Sequence, residues 1–187
     1  MLCQVCHQPG LRFLCDRCRT RLRPASERVL GEGLRLVAAF EHTGPAARLI
    51  HHLKYRGVGG YEELVAETLA RRLPNLPIAP VPRALSRRLK YGVDPTRLLA
   101  DALARRMGVP VLSLLLPPIH NPRRAGGDHQ RPVPRFRVRR GIRFPIILLD
   151  DVVTTGATIL SAASSIGGEV VALAVAANVV PTVSTLR

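Results

Sequence analysis

The stretch Ile146-Ile147-Leu148-Leu149-Asp150-Asp151-Val152-Val153-Thr154-Thr155-Gly156-Ala157-Thr158 joins an apolar run, an acidic pair and a threonine-glycine loop. Four consecutive apolar residues, Ile146 to Leu149, read as a strand buried on both faces, the habit of parallel sheets covered on both sides. Gly156 to Ile166 then puts Ile159, Leu160, Ala163 and Ile166 on one helical face and stops at Gly167-Gly168. Strand, acids, loop and helix in that order set the acids at the C-terminal edge of the sheet, where open α/β folds bind ligands. Loop N–H groups and Thr hydroxyls can wrap a phosphate, and the helix N-terminus adds positive potential. Gly156 lets the backbone come close to the anion. Asp150 and Asp151 stand too near a phosphate to bind it, so they read as acceptors for sugar hydroxyls. Asp150 to Thr158, with Val152, Val153 and Ala157 supplying backbone, therefore read as a site for a ribose 5-phosphate. A pair of helix-start acids before an ordinary Thr/Gly turn is the alternative, and it leaves the complete pattern to chance.

Outward from this stretch, apolar runs alternate with helical patterns. Leu34 to Phe40 reads as a strand. Ala46, Leu49, Ile50 and Leu53 then share one face of a helix opened by Thr43 and Pro45. Tyr61 to Leu73 reads as a second helix with Leu64, Val65, Leu69 and Leu73 inward, and Ile78 to Val81 as a short strand closed by prolines. Asp94-Pro95 starts a helix that carries Leu98, Leu99, Ala102, Leu103 and Met107 on one face and stops at Gly108. Val109 to Leu116 is strand-like, Pro117 to Arg143 is a polar insertion far longer than an ordinary connection, and Glu169 to Ala177 is a final apolar strand. The expected fold is α/β, a parallel sheet with helices on both faces over residues 34–187. Residues 21–33 read as a linker or short helix, and residues 1–20, which hold every cysteine, as a separate small unit with little to build a core.

Composition narrows the class. The chain has 187 residues, a net charge of +15, 47% hydrophobic residues and four Cys. That apolar content excludes a disordered chain, and so few cysteines exclude a disulfide-dense secreted scaffold. No apolar run reaches the roughly 18 residues of a membrane span. The N-terminus lacks a charged start followed by an apolar stretch, so the expected location is the cytoplasm. Of the 28 cations only Lys54 and Lys90 are Lys. Arg forks pair with phosphates, which admits nucleic-acid or nucleotide partners, while an Arg-rich surface set by genome composition or a hot habitat is the alternative. With 4% aromatic residues the chain is a poor base-stacking platform.

The cysteines follow the spacing Cys3-x2-Cys6-x8-Cys15-x2-Cys18. Two CxxC pairs present four thiolates to one tetrahedral ion, and structural zinc is the leading reading. Redox dithiols are a rival, and Cys3-x2-Cys6-His7 also matches a c-type haem attachment site, which would need export and leaves Cys15 and Cys18 unused. His7 reads as a neighbour of the metal. Zinc here would hold a tip that does not otherwise fold.

The strand-Asp-Asp-x-x-Thr-Thr-Gly-x-Thr stretch resembles the phosphoribosyl pyrophosphate signature of type I phosphoribosyltransferases. Together with the four-Cys knuckle it is similar to the ComF family of competence proteins. His52-Leu53-Lys54-Tyr55-Arg56-Gly57 is similar to that family's Leu-Lys-Tyr-x-Gly element, and Ala79-Pro80-Val81-Pro82-Arg83 to its Pro-Val-Pro strand end. The resemblance covers nearly the whole chain, with Arg88 to Gly108 resembling the family's following basic loop and helix. Lys90-Tyr91-Gly92-Val93-Asp94 departs from the family's Arg-Gly-Phe-Asn run. In the mobile loop Gln130 is kept and the family's Asn is missing.

The resemblance implies a type I phosphoribosyltransferase-like sheet and phosphoribosyl pyrophosphate, or a nucleotide phosphate, bound with Mg²⁺. Asp150 and Asp151 would hold the ribose as the catalytic pair, and Thr154 to Thr158 the 5-phosphate. Val81, Pro82 and Arg83 would face the pyrophosphate, with Lys54 and Gln130 as further contacts; Arg83 and Lys54 also have plain readings as surface cations. Such transfer passes through a cation-like ribose, with Mg²⁺ and cationic groups steadying the departing pyrophosphate. The resemblance also implies a part in DNA uptake, handling single-stranded DNA with a helicase partner, and dimers are usual for the fold. From Asn121 to Arg143 there are eight Arg and one acid, Asp128. A basic segment beside a phosphate pocket suits a nucleic-acid backbone, and a solvated loop over a small phosphate ligand suits it equally. The readings are a DNA-uptake protein on this fold, an active transferase of nucleotide metabolism, and a ribose-phosphate sensor.

Overall fold

Alternation along the apolar strands sorts the core into two layers. A computed structural model describes residues 1–31, 33–56, 59–119 and 133–179. Its sheet comprises β1 (Arg28–Leu30), β2 (Leu34–Glu41), β3 (Ile78–Pro80), β6 (Ile146–Val153) and β7 (Val170–Asn178), in the order β1-β2-β7-β6-β3. The last four run parallel, with Ile147 opposite Ala172, Asp150 opposite Val175 and Leu36 opposite Leu173. A separate two-stranded ribbon pairs β4 (Leu115–Leu116) with β5 (Arg137–Val138).

Val37, Ala39, Ile147, Leu149, Ala172 and Ala174 face one layer, built from α2 (Gly44–Arg56), α3 (Tyr61–Ala70) and α5 (Pro95–Met107). Leu36, Ala38, Ile146, Leu148, Leu173 and Val175 face the other, which holds α6 (Ala157–Ile166) and the ribbon. A strand covered on both sides has no polar face, which is why these strands carry unbroken apolar runs. Ala46, Leu49, Ile50 and Leu53 of α2 are all buried, as their spacing predicts.

Two short helices complete the element order, α1 (Asp16–Arg19) and α4 (Leu85–Tyr91). The Asp94 side chain accepts from the Arg97 N–H and Pro95 occupies the first turn, so α5 begins where the capping pair predicts. Gly108 closes it in the left-handed conformation at φ 68°.

Four local expectations change. Residues 21–33 supply β1 rather than a linker or helix. It is antiparallel to β2 and stitched there by Arg72, which donates to the carbonyls of Ala38 and Ala25, while Glu27 accepts from Arg35 at 2.6 Å. Val109 to Leu116 is not one strand. Residues 110–112 lie along β3, with Ile78 N–H to the Pro110 carbonyl and Leu112 N–H to the Ile78 carbonyl. A tight Leu114 N–H to Leu112 carbonyl bond then breaks the run before β4. Leu98 is exposed. Lastly, the cysteine unit joins the core: Cys3, Val5, Leu14 and Cys18 are buried in the layer of α2 and α3. Gln4 Nε2 donates to the Gly59 carbonyl, Arg48 to the Val5 carbonyl, and the Phe13 ring presses on Gly60. At φ 107°, with a Cβ only 2.8 Å from that ring, position 60 suits glycine.

Candidate functional site

Parallel pairing brings the C-terminal ends of β2, β7, β6 and β3 to one edge, and the polar residues gather there. Asp150 and Asp151 lie in the last half of β6, just before its terminal Val152 and Val153, both half-buried. The Asp150 carboxylate accepts from the Asp151 N–H at 2.8 Å. Asp151 Oδ1 meets Lys54 Nζ of α2 at 3.0 Å, in a pair whose side chains are 16% and 26% exposed. Burial, with the Asp151 charge next, pushes the Asp150 carboxyl up to about 7; Lys54 works in the opposite sense and Asp94 adds to the rise. The second layer of the site is His42, just beyond β2, whose backbone N–H donates to the Asn178 carbonyl. Burial, and after it the Lys54 charge, holds His42 below its ordinary value, while Asp151 opposes them. Asn178 is 4% exposed and its Oδ1 is buried without a hydrogen-bond partner.

After β6 the chain turns through Thr154 and Thr155, both exposed, to a buried Gly156 at φ 89°, and enters α6. Thr155 Oγ1 accepts from the Ala157 N–H at 3.4 Å, and Thr158 is exposed on the first turn of α6. The floor of this loop comes from β1: a Cβ at Gly156 would lie 2.9 Å from Leu30 Cδ1, and Arg28 donates to the Thr154 carbonyl at 3.0 Å. The loop therefore presents hydroxyls and backbone at a helix N-terminus, with Val152 and Val153 between it and the two carboxylates.

Val81 to Arg83 follows β3 directly, beside β6, and is bonded into the scaffold. Val81 N–H bonds the Leu149 carbonyl at 2.8 Å. Pro82 has no N–H to offer. Arg83, expected to face a pyrophosphate, sends one guanidinium nitrogen to the carbonyls of Lys54 and Val93, at 2.8 and 3.0 Å. Its Cζ lies 5.0 Å from the Tyr91 ring centre and 5.7 Å from that of Tyr55. Arg83 ties the end of α2 to the junction of α4 and α5, which is where Lys54 is positioned.

The four cysteine sulfurs lie within 4.8 Å of one another, and none is in a disulfide. Four thiolates about 2.3 Å from one zinc ion would sit roughly 3.8 Å apart, and Cys6 and Cys15 are 3.6 Å apart. The donor set fits a structural zinc site. Without a cation the thiols oppose one another: Cys18 is pushed up to about 12 by burial and by Cys6, Cys15 and Cys3. Burial also raises Cys3, but N–H groups of Cys15, Cys6 and Val5 outweigh it and bring it down to about 6. His7 is exposed, outside the sulfur cluster, with its backbone at φ 60°.

Arg135, Arg137, Arg139 and Arg140 are exposed around β5, while Phe136 between them is buried against the α6 layer. Gln130, with residues 120–132, lies outside the described residues, as does Gly57. The sequence reading missed Arg28, Leu30, His42 and Asn178. None belongs to a motif, and only the pairing of distant strands brings them to the edge. No helix among the described residues is long and apolar enough to cross a membrane. No family model and no curated protein matches the chain.

Proposed function

We propose that the chain is a phosphoribosyltransferase-fold protein of the ComF type that binds phosphoribosyl pyrophosphate, or another ribose 5-phosphate group, at this sheet edge. The observation that carries the reading is the juxtaposition of Asp150 and Asp151 with the Thr154–Thr158 turn, where a parallel strand meets a helix N-terminus. A ribose 5-phosphate needs hydroxyl acceptors and an anion cradle a few ångströms apart, and the edge offers both. Asp150 and Asp151 accept from the ribose hydroxyls, and Thr154, Thr155, Gly156, Ala157 and Thr158 hold the 5-phosphate. Lys54, already beside Asp151, brings a cation to the sugar side of the site. Mg²⁺ bound with the pyrophosphate would offset its charge. In this reading the cysteine unit carries zinc as a structural element.

The family likeness and the exposed arginines at 135, 137, 139 and 140 support a role in DNA uptake in the cytoplasm, handling incoming single-stranded DNA with a helicase partner. The Lys54–Asp151 pair favours a second reading, an active Mg²⁺-dependent transferase of nucleotide metabolism: the ribose C1–pyrophosphate bond breaks, a bond to an acceptor forms, and pyrophosphate leaves.

Calorimetric titration with phosphoribosyl pyrophosphate and Mg²⁺ tests the pocket. Wild type should bind and Asp150→Asn/Asp151→Asn should not; a folded, zinc-loaded wild type that fails to bind overturns the proposal. DNA affinity that falls steeply with salt and weakens when the four arginines are neutralised supports the first role. Pyrophosphate release abolished by the double Asn variant supports the second.

A further inference from the structure

We infer that Arg28, on the edge strand β1, is a phosphate-contacting residue of the Thr154–Thr158 loop and takes a phosphate monoester dianion as its partner. The inference rests on the reading of that loop as a phosphate cradle and names a residue that no motif marks.

Three observations converge on Arg28. Its guanidinium reaches across from β1 to the loop and donates to the Thr154 carbonyl at 3.0 Å. Its Nε is shut off from solvent and has no hydrogen-bond acceptor. The neighbouring carboxylate of Glu27 is occupied by Arg35 and Arg72, at 2.6 and 3.4 Å. A guanidinium presents five N–H donors in a planar fork matched to phosphate oxygens. Here one arm is anchored on the loop's own backbone, the enclosed Nε has no carboxylate to neutralise it, and Glu27 does not take the charge, so the cation is left for an anion seated on the loop.

Such a side chain is restrained rather than freely solvated, and it is restrained at the backbone of Thr154. Thr154, Thr155 and Thr158 are exposed at the same turn, so an anion seated on the loop lies within the field of the cation that touches its wall. Charge-assisted hydrogen bonds from a preorganised fork are about twice as strong as neutral ones. A neutral sugar gains nothing from Arg28, whereas a phosphate does. The residue thus sets the preference for the phosphorylated ligand, leaving sugar recognition to Asp150 and Asp151.

Full-length, zinc-loaded protein would be titrated with ribose 5-phosphate and, separately, with inorganic phosphate. Arg28→Gln keeps an amide donor for the Thr154 carbonyl but removes the charge; Arg28→Lys keeps the charge. Arg28→Gln should weaken both ligands by about 10- to 100-fold, with Arg28→Lys recovering most of the loss for ribose 5-phosphate. Asp150→Asn/Asp151→Asn should lose ribose 5-phosphate and leave inorganic phosphate unchanged. If Arg28→Gln binds ribose 5-phosphate as wild type does while the Asn variant loses it, the pocket stands and the Arg28 assignment falls. Equal losses in Arg28→Gln and Arg28→Lys would assign Arg28 to loop packing instead. Wild type that binds neither ligand overturns the loop reading and this inference with it. The Arg28 Nη–H resonances of the wild-type protein, read at low temperature, give a readout independent of folding in the variants. They should move downfield with saturating ribose 5-phosphate and not with ribose, and unmoved resonances at saturation overturn the contact.

Discussion

Lys54 Nζ stands 3.0 Å from Asp151 Oδ1, so the one lysine on α2 spends its charge on the acidic pair at the end of β6. Asp150, next in the strand, feels both charges. Removing the cation with Lys54→Met should raise the Asp150 carboxyl beyond its value of about 7. A carboxyl NMR titration reads this directly. An unchanged titration would show that Lys54 does not act on the pair.

The buried position of Asp150 makes stability depend on pH with a definite sign. Its carboxyl is raised from 3.8 to about 7 in the folded chain, so the unfolded chain gives up its proton first. Stability should therefore fall as pH rises from about 4 to about 7 and level off above. Asp150→Asn should be more stable than wild type at neutral pH. Full linkage for such a shift is roughly 4 kcal/mol, and with water reaching the half-buried group about 1–2 kcal/mol is expected. Thermal melts of both proteins across pH 4–8 check the slope, which should flatten in the variant.

The Arg83 strut should show itself in stability before it shows in binding. Arg83→Ala removes two charge-assisted bonds to the Lys54 and Val93 carbonyls and the stacking on Tyr55 and Tyr91. A loss of about 2–4 kcal/mol is expected in denaturant unfolding. Arg83→Lys should recover little, because an ammonium has no planar face to lay over Tyr55 and Tyr91.

Gly156 carries φ 89° with Leu30 Cδ1 where a Cβ would go. Gly156→Ala should cost about 1–3 kcal/mol through backbone strain. A melt showing no loss would mean the turn relaxes to another conformation.

Metal analysis of protein purified under reducing conditions should find about one zinc ion per chain, lost in Cys6→Ser/Cys15→Ser. Because Phe13 and Arg48 join the cysteine unit to α2 and the turn before α3, chelation should lower the unfolding midpoint of the whole chain, not of the tip alone. Protein without zinc and with an unaltered midpoint would refute this.

The parts of the fold read from sequence are those whose signal is local. Continuous apolar runs marked β2, β6 and β7, the 3.6-residue spacing marked α2, and the Asp94-Pro95 pair marked the start of α5. The acidic pair and the Thr/Gly turn were legible because six residues set in the short span Asp150 to Thr158 form one recognisable pattern. What stayed hidden depends on distant pairing. Three residues at Arg28–Leu30 have no period to detect, and only the register with β2 places Arg28 and Leu30 under the loop. The bonds of Arg83 to two carbonyls stayed hidden because a cation after a strand end looks the same in sequence whatever it bonds. Likewise Val109 to Leu116 has the composition of a strand, and a single tight turn at Leu112–Leu114 divides it.

The margins of the sheet bear on how this chain behaves in a crowded solution. β1, its outermost strand on one side, is three residues long, begins with the charged Arg28 and follows Glu27. On the other side β3 is equally short, ends in Pro80, and has residues 110–112 laid along it. Open edges invite strands of neighbouring molecules to add on, and brevity, charge and proline all discourage it. The apolar runs of β6 and β7, which would be dangerous at a margin, sit in the middle. A sheet so closed can keep a strongly hydrophobic centre without polymerising through it.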